Sequence, residues 1–249
     1  MIRAADEGPH TSPSAWAPER RAAWCETWSF DFADDHGVGG FVRLVQFPGR
    51  GIAWYWAYLV VPDFGLLVVR DHEVPLVPRP NPLEVRAEAL WAELICEQPF
   101  EHWSIAAEAF GLRVEAPGDA ERGERVAVGL DLGWEALTAT HDPGMPKPGM
   151  PKPGMPETGT GYSQVGTVVG ALLVGADRLP FDGRGERGHQ WGARPWWDDA
   201  PRRQPPMDSL VTVAIALAPG SRLMRALGWS RDADRGTVPI WTEWCDDGG

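Results

Sequence analysis

Lysine and asparagine are almost missing from this 249-residue chain: Lys147 and Lys152 are the only lysines, and Asn81 is the only asparagine. Arginine carries nearly all the basic charge, a bias that reads as GC-rich codon usage and gives arginine abundance no functional weight. Net charge is −12. A nucleic-acid surface is excluded on this ground, because phosphate binding needs clustered Lys and Arg. Cysteine is scarce as well: Cys25, Cys96 and Cys245 are widely spaced and form no Cys-x-x-Cys pair. They read as reduced, buried thiols of a cytoplasmic protein. The longest apolar runs, such as Leu210–Ala218, are too short to cross a bilayer. The first 24 residues lack the apolar stretch of a signal peptide, so no membrane insertion is expected. No Gly-x-Ser-x-Gly elbow, phosphate loop, His-Glu-x-x-His or dinucleotide fingerprint occurs, which speaks against hydrolases, nucleotide enzymes and zinc proteases. Neither a metal nor a cofactor is expected.

Tryptophan, by contrast, is abundant, at 14 residues, and 43% of the chain is hydrophobic. Residues 1–23 are rich in Pro, Ala and charge without period and read as a disordered tail. From Trp24 the pattern turns to short runs of period two broken by Gly, Pro and Asp. In Ile52–Val61 both faces are largely apolar: Ile52, Trp54, Trp56, Tyr58 and Val60 on one, Ala53, Tyr55, Ala57, Leu59 and Val61 on the other. That suits a strand buried on two sides or lining an apolar cavity. Leu83–Glu97 has helical composition but also alternates, and is read as strand like its neighbours. Val126–Trp134 alternates most clearly. Residues 144–156 repeat Gly-Met-Pro-Lys-Pro, a composition that forbids helix and central strand and marks an exposed loop. Strand patterns resume at Gln164. The organisation predicted is a tail (1–23), a first β half (24–138), a loop or linker (139–160) and a second β half (161–249) closing the same barrel. Many short strands with turn signals mean an all-β antiparallel barrel with little helix. A barrel so rich in strand-borne tryptophan is expected to enclose an apolar cavity for one lipophilic ligand.

The densest pairing of ionisable and aromatic residues is Gly183–Trp197. Glycines at its start permit a sharp turn. On a strand, Arg187, His189 and Trp191 share one face, so a cation, a base and an indole donor converge there. His189 reads either as a general acid or donor, or as a structural histidine bonded to backbone. Trp191 reads as a stacking or donor group, or as core. Arg187 and Arg194 read as binders of a carboxylate or enolate, or as partners of an internal acid, with Asp31 available. Trp28, Trp54, Trp56, Tyr58, Trp91 and Trp103 are the candidate cavity lining. Asp71-His72 and Glu97-x4-His102 have the composition of acid–base pairs, with a solvated or structural role as the simpler reading.

Gly185-Glu186-Arg187-Gly188-His189-Gln190-Trp191-Gly192-Ala193-Arg194 resembles the Gly-x-Arg-Asp-His-x-Trp-Gly-x-Arg signature of the carotenoid 1,2-hydratase (hydroxyneurosporene synthase) superfamily. Glu26–Phe32, Asp71–Leu76 and Ile95–Trp103 add to the resemblance. It implies a lipocalin-like (calycin) barrel, and the superfamily includes β-barrel Diels–Alderases of natural-product pathways. The chain departs from the signature at Gly188, where the family has an acid. A cofactor-free cyclase that folds a polyene or polyketide is unaffected by that departure, because positioning supplies much of its rate and His189 and Trp191 would polarise a carbonyl. A hydratase or isomerase of an isoprenoid alkene would need another carboxylate near His189, with Glu26, Asp31 or Asp71 as candidates. A non-catalytic lipophile-binding barrel needs only the cavity. A hydrophobic small molecule is the expected partner in all three, and a homodimer stays open.

Overall fold

In the computed structural model, residues 2–114, 123–140 and 160–193 are described in full. Of the C-terminal part, the backbones of three strands are described, 209–218, 221–232 and 236–246. The repeat at 144–156 and Arg194 lie outside the described residues. The chain is all-β. After a one-turn 3-10 helix (Ala4–Glu7) and a short α-helix α1 (Pro18–Ala22) come β1 (Trp24–Asp34), β2 (Gly39–Phe47), β3 (Ile52–Val61) and β4 (Gly65–Pro75). There follow β5 (Glu84–Ala87), β6 (Leu90–Gln98), β7 (His102–Val114), β8 (Glu124–Ala136), β9 (Thr160–Val174) and β10 (Asp177–Ala193), then β11 (Ser209–Ala218), β12 (Ser221–Asp232) and β13 (Gly236–Asp246). Among the described residues, no helix is long and apolar enough to cross a membrane.

The strands run β4-β3-β2-β1-β10-β9-β8-β7, and β4 pairs back onto β7, so the sheet closes into a ring. Two strands share one edge of β7. Its first part pairs with β6 (Leu90 opposite Ala109 through Gln98 opposite His102), and its end pairs with β4 (Leu66 opposite Val114, Val68 opposite Leu112). The β5–β6 hairpin thereby fills the wedge left where β4 turns away. Leu83–Glu97 is strand, as alternation predicts, although a hairpin turn divides it. Strands β11, β12 and β13 pair with one another in a second antiparallel sheet.

The ring's interior follows from parity, because alternate residues of a strand point to opposite faces. Trp28, Phe30 and Phe32 of β1, Tyr55, Ala57 and Leu59 of β3, Trp103 and Ile105 of β7, Leu130, Leu132 and Trp134 of β8, and Val168 and Leu172 of β9 form one continuous core. Trp28, Trp103 and Trp134 are at most 1% exposed. A barrel of about eight strands is just wide enough for side chains to fill. These tryptophans are packed as core.

The same parity corrects the reading of β3. Trp54, Trp56 and Tyr58 lie on the opposite face from Tyr55 and Leu59. They pack with Phe41, Val60 and Val68, or with Cys25, Val45 and Phe47, in two separate clusters. Both faces of β3 are apolar because both are covered, the first of the two alternatives for a doubly apolar strand. Trp91, on β6, likewise falls on the opposite parity from the core residues Leu90, Ala92 and Leu94.

The glycines of β10 also serve a purpose other than the one expected. There is no turn at Gly183–Gly185; β10 runs unbroken from Asp177 to Ala193. A Cβ at Gly183 would lie 2.3 Å from the Ala33 carbonyl oxygen, and one at Gly185 would lie 2.1 Å from that of Asp31. Glycine is required because β1 and β10 approach too closely for a side chain.

Candidate active site

One end of this otherwise apolar interior is polar. Register places Trp28 opposite His189, Phe30 opposite Arg187 and Glu26 opposite Trp191. On the other side of β10, Tyr162 stands opposite His189 and Gln164 opposite Arg187. All these side chains point inward, so Arg187, His189 and Trp191 do share a face. Gly188 points the other way, where an added Cβ would meet Ser29 Oγ at 2.8 Å. An acid at that position would therefore stand on the face opposite His189.

The segment preceding β1 completes the network. Residues 2–23, expected to be a disordered tail, instead cross the polar end of the barrel and insert Glu7, which is 3% exposed. Arg187 donates from Nη1 to Glu7 Oε2 at 2.9 Å and from Nη2 to Glu7 Oε1 at 2.6 Å. The Arg187 guanidinium also donates to Gln164 Oε1 at 2.8 and 3.2 Å. Tyr162 O–H donates to Glu7 Oε2 at 2.6 Å, and the Phe100 backbone N–H donates to Glu7 Oε1 at 2.7 Å. Gln164 is itself fixed, its amide donating to the carbonyls of Phe100 and Thr138. Above the guanidinium lie the rings of Trp134, Tyr162 and Trp103 at 5.0, 5.3 and 5.4 Å. The partner of Arg187 is thus Glu7 and not Asp31, which instead faces Arg43 at 3.5 Å. A buried guanidinium needs such a bidentate counter-charge, since an unpaired one is costly.

A second unit adjoins the first. Glu26 Oε1 lies 2.7 Å from His189 Nε2 and 2.7 Å from His10 Nδ1. The His10 backbone N–H donates to Glu26 Oε2 at 2.7 Å. His189 is fully buried. Its ring stacks on Trp28 at 4.6 Å, and the ring of His10 stacks on Trp191 at 3.9 Å. Burial works to raise the Glu26 pKa, but hydrogen bonds from His10 and His189 outweigh it and hold the carboxyl below its ordinary range. Burial depresses His189 despite Glu26. Burial also opposes charge on His10, yet Glu26 and then Asp6, 3.6 Å from its Nε2, prevail and raise it. One carboxylate thus sits between two imidazoles of opposite tendency, and the proton belongs on His10, the more exposed ring.

Tautomers follow from this count. An ionised Glu26 only accepts, so His189 carries its proton on Nε2. Tyr162 O–H is committed to Glu7, and its burial pushes its own pKa up. The lone pair of His189 Nδ1 then faces the Tyr162 oxygen at 3.3 Å without a committed donor. His10, Glu26 and His189 could also offer a divalent cation three ligand atoms, all within 4.8 Å of one another. A cleft of about 470 Å³ opens beside His10, lined further by Thr11, Ser12, Pro18, Arg21, Trp24 and Pro48.

The other sequence candidates stand apart. Trp56 Nε1 donates to His72 Nε2 at 2.6 Å on the outer face. Asp71 accepts from the Glu73 backbone. Glu97 accepts from Ser104, while His102 approaches Glu135 at 3.6 Å, so Glu97 and His102 form no pair. Glu7, His10, Tyr162 and Gln164 escape sequence reasoning. The first two sit in a stretch with the composition of a tail; the last two are interior-facing polar residues at the start of β9, where a polar pair reads as a strand end.

No curated protein matches the chain. Among solved structures, an AttH candidate from Nitrosomonas europaea is similar at 13% identity and TM-score 0.44, covering 87% of this chain and 68% of its own. CghA, solved alone and with Sch210972, is similar at 12% identity and TM-score 0.39; the match covers 90% of this chain and 58% of CghA. At these values the likenesses carry no inference about chemistry. Residues 3–229 match the family described as domain of unknown function DUF7064, and the chain belongs to it.

Proposed function

We propose that this chain is a cofactor-independent enzyme that moves a proton on a hydrophobic small molecule, shifting a double bond activated by a neighbouring carbonyl. The observation that carries this reading is Glu26 Oε1 held at 2.7 Å from both His10 and His189. The hydratase-or-isomerase expectation required a carboxylate beside His189, and Glu26 fills that place from the adjacent strand. An ionised carboxylate with a protonated imidazole on one side and a neutral one on the other suits proton removal and return near neutrality. It supplies no acid strong enough for an isolated alkene, which favours isomerisation of an activated alkene over hydration. One proton leaves a carbon, another is delivered two carbons on, and the formula is unchanged. His10, which borders the cleft, takes the proton from one carbon when its ring is neutral and, as the imidazolium, returns it two carbons on; Glu26 keeps its charge opposite that ring, and His189 and the aromatic rings fix Glu26.

Cyclisation of a polyene, the first expectation from the sequence, would rest on shape, with His189 and Trp191 as donors. His189 Nε2 is occupied by Glu26, which leaves that nitrogen no proton for a substrate carbonyl, and the ring of His10 covers the face of Trp191. Incubation with conjugated polyene ketones in D2O separates the readings. Isomerisation gives a product of equal mass that has taken up deuterium at carbon. Cyclisation gives equal mass without deuterium, hydration adds one water, and simple binding returns the ligand intact. An equal-mass product with no solvent deuterium would overturn the proposal.

A further inference from the structure

The seat of Glu7 is a carboxylate site, and we propose that the chain's own segment 2–12 occupies it in place of a ligand: a hydrophobic carboxylic acid, whose carboxylate takes the place of Glu7 while its tail follows the path that residues 3–10 vacate. This goes beyond the proton-transfer reading and does not depend on it; an acid that displaces the segment also withdraws His10 from Glu26, so it acts against proton transfer and is not its substrate. Among residues 2–23, Glu7 is the only buried one. A segment retained for stability buries apolar side chains; this one buries a charge alone. Its backbone is not built into the barrel either. Among the described residues, no backbone–backbone hydrogen bond joins residues 2–16 to a strand; those present, from Asp6 N–H to Arg3 and from Trp16 N–H to Pro13, are internal. The attachments are side-chain bonds concentrated at Glu7 and His10.

The receiving groups, on the other hand, belong wholly to the barrel and remain when the segment leaves. They are the two outer nitrogens of Arg187, the Tyr162 hydroxyl and the Phe100 N–H, with Arg187 steadied by Gln164. A planar pair of guanidinium donors is matched to a carboxylate. A second observation points the same way. Trp103 and Trp134, whose rings lie over the guanidinium, are fully buried, and their indole N–H groups have no hydrogen-bond partner. Buried donors of this kind are ordinarily satisfied, so the site holds donors that the segment does not use.

The test replaces the internal occupant and offers an external one. Glu7→Gln removes the charge while keeping the shape. Decanoate below its micelle concentration should raise the melting temperature of Glu7→Gln by about 5–10 °C at a hundredfold excess over its Kd. Methyl decanoate should not, and the wild-type chain should shift far less, since decanoate must first displace Glu7. A chain lacking residues 2–12 should bind decanoate in the same way, and a synthetic peptide of residues 2–12 should compete for it. Equal response to the acid and its ester, or no response in either variant, would overturn the proposal. So would a chain lacking residues 2–12 that stays unfolded in both decanoate and the peptide, because the segment would then be part of the fold. Decanoate binding without any isomerase activity would leave this site standing and count only against the proton-transfer reading.

Discussion

Two histidine–tryptophan clusters lie on opposite faces of the same ring. In the outer one, His72 accepts from Trp56 Nε1 at 2.6 Å and tilts against Trp54, and among the described residues no carboxylate is hydrogen-bonded to it. In the inner one, His189 and His10 stack on Trp28 and Trp191 and share Glu26. Burial depresses His72, aided by the Arg70 charge, and its Nε2 serves as an acceptor. Burial depresses His189 too, but the carboxylate between the rings keeps a proton in the inner cluster, on His10. The aromatic content is alike; what separates a packing motif from a proton-handling one is a single buried acid.

The largest expected effect breaks the inner network at its cation. Arg187→Met leaves Glu7 buried without a counter-charge and should cost about 3–5 kcal/mol in urea unfolding. Pairing it with Glu7→Met should return most of that loss; equal instability of single and double variants would show that the ion pair does not organise this end. Next, Glu26→Gln should lower turnover about 10²- to 10⁴-fold, and NMR titration should show the His10 pKa falling from its raised position. The outer cluster supplies the control. Trp56→Phe removes one half-exposed hydrogen bond and should cost about 0.5–1.5 kcal/mol with turnover unchanged; a drop in turnover would erase the distinction between the clusters.

The smallest effect lies in pH. His10 is raised in the folded state, so its contribution to stability is complete below the unfolded value of 6.5 and is lost as pH rises through its folded pKa. His189 is lowered, so the folded state binds fewer protons than the unfolded one, and stability is lost as pH falls below 6.5 toward its folded pKa. The two slopes oppose each other. His10→Gln should unmask the second, giving a urea midpoint that only rises between pH 5 and 7. A midpoint in that variant that still falls with pH would place the raised proton elsewhere.

The fold class was legible because period-two alternation is a local signal, and β1, β3, β7, β8 and β9 carry it strongly. Which face turns inward was not. On β3 both faces are apolar, and only the register with β2 and β4 decides that Tyr55 is inside and Trp56 outside. The Arg187-His189-Trp191 face was legible for the same reason as the strands. Its partners were not, since Glu7 and His10 reach it from a segment whose composition is that of a tail, and Tyr162 and Gln164 reach it through strand pairing. The Gly188 departure also changes meaning in three dimensions: parity turns that position away from His189, and the acid comes from β1 instead.

The ring has an order of assembly written into it. β1 leaves the ribosome long before its partner β10; Ser29 and Gly188 are 159 residues apart. Until then Trp28, Phe30 and Phe32 have only the β2 side to shelter them. Contacts so distant in sequence form slowly, and an unpaired strand edge with an aromatic face invites association with other chains. A nascent chain stalled before residue 183 should therefore be the species that chaperones hold and that aggregates when they are absent.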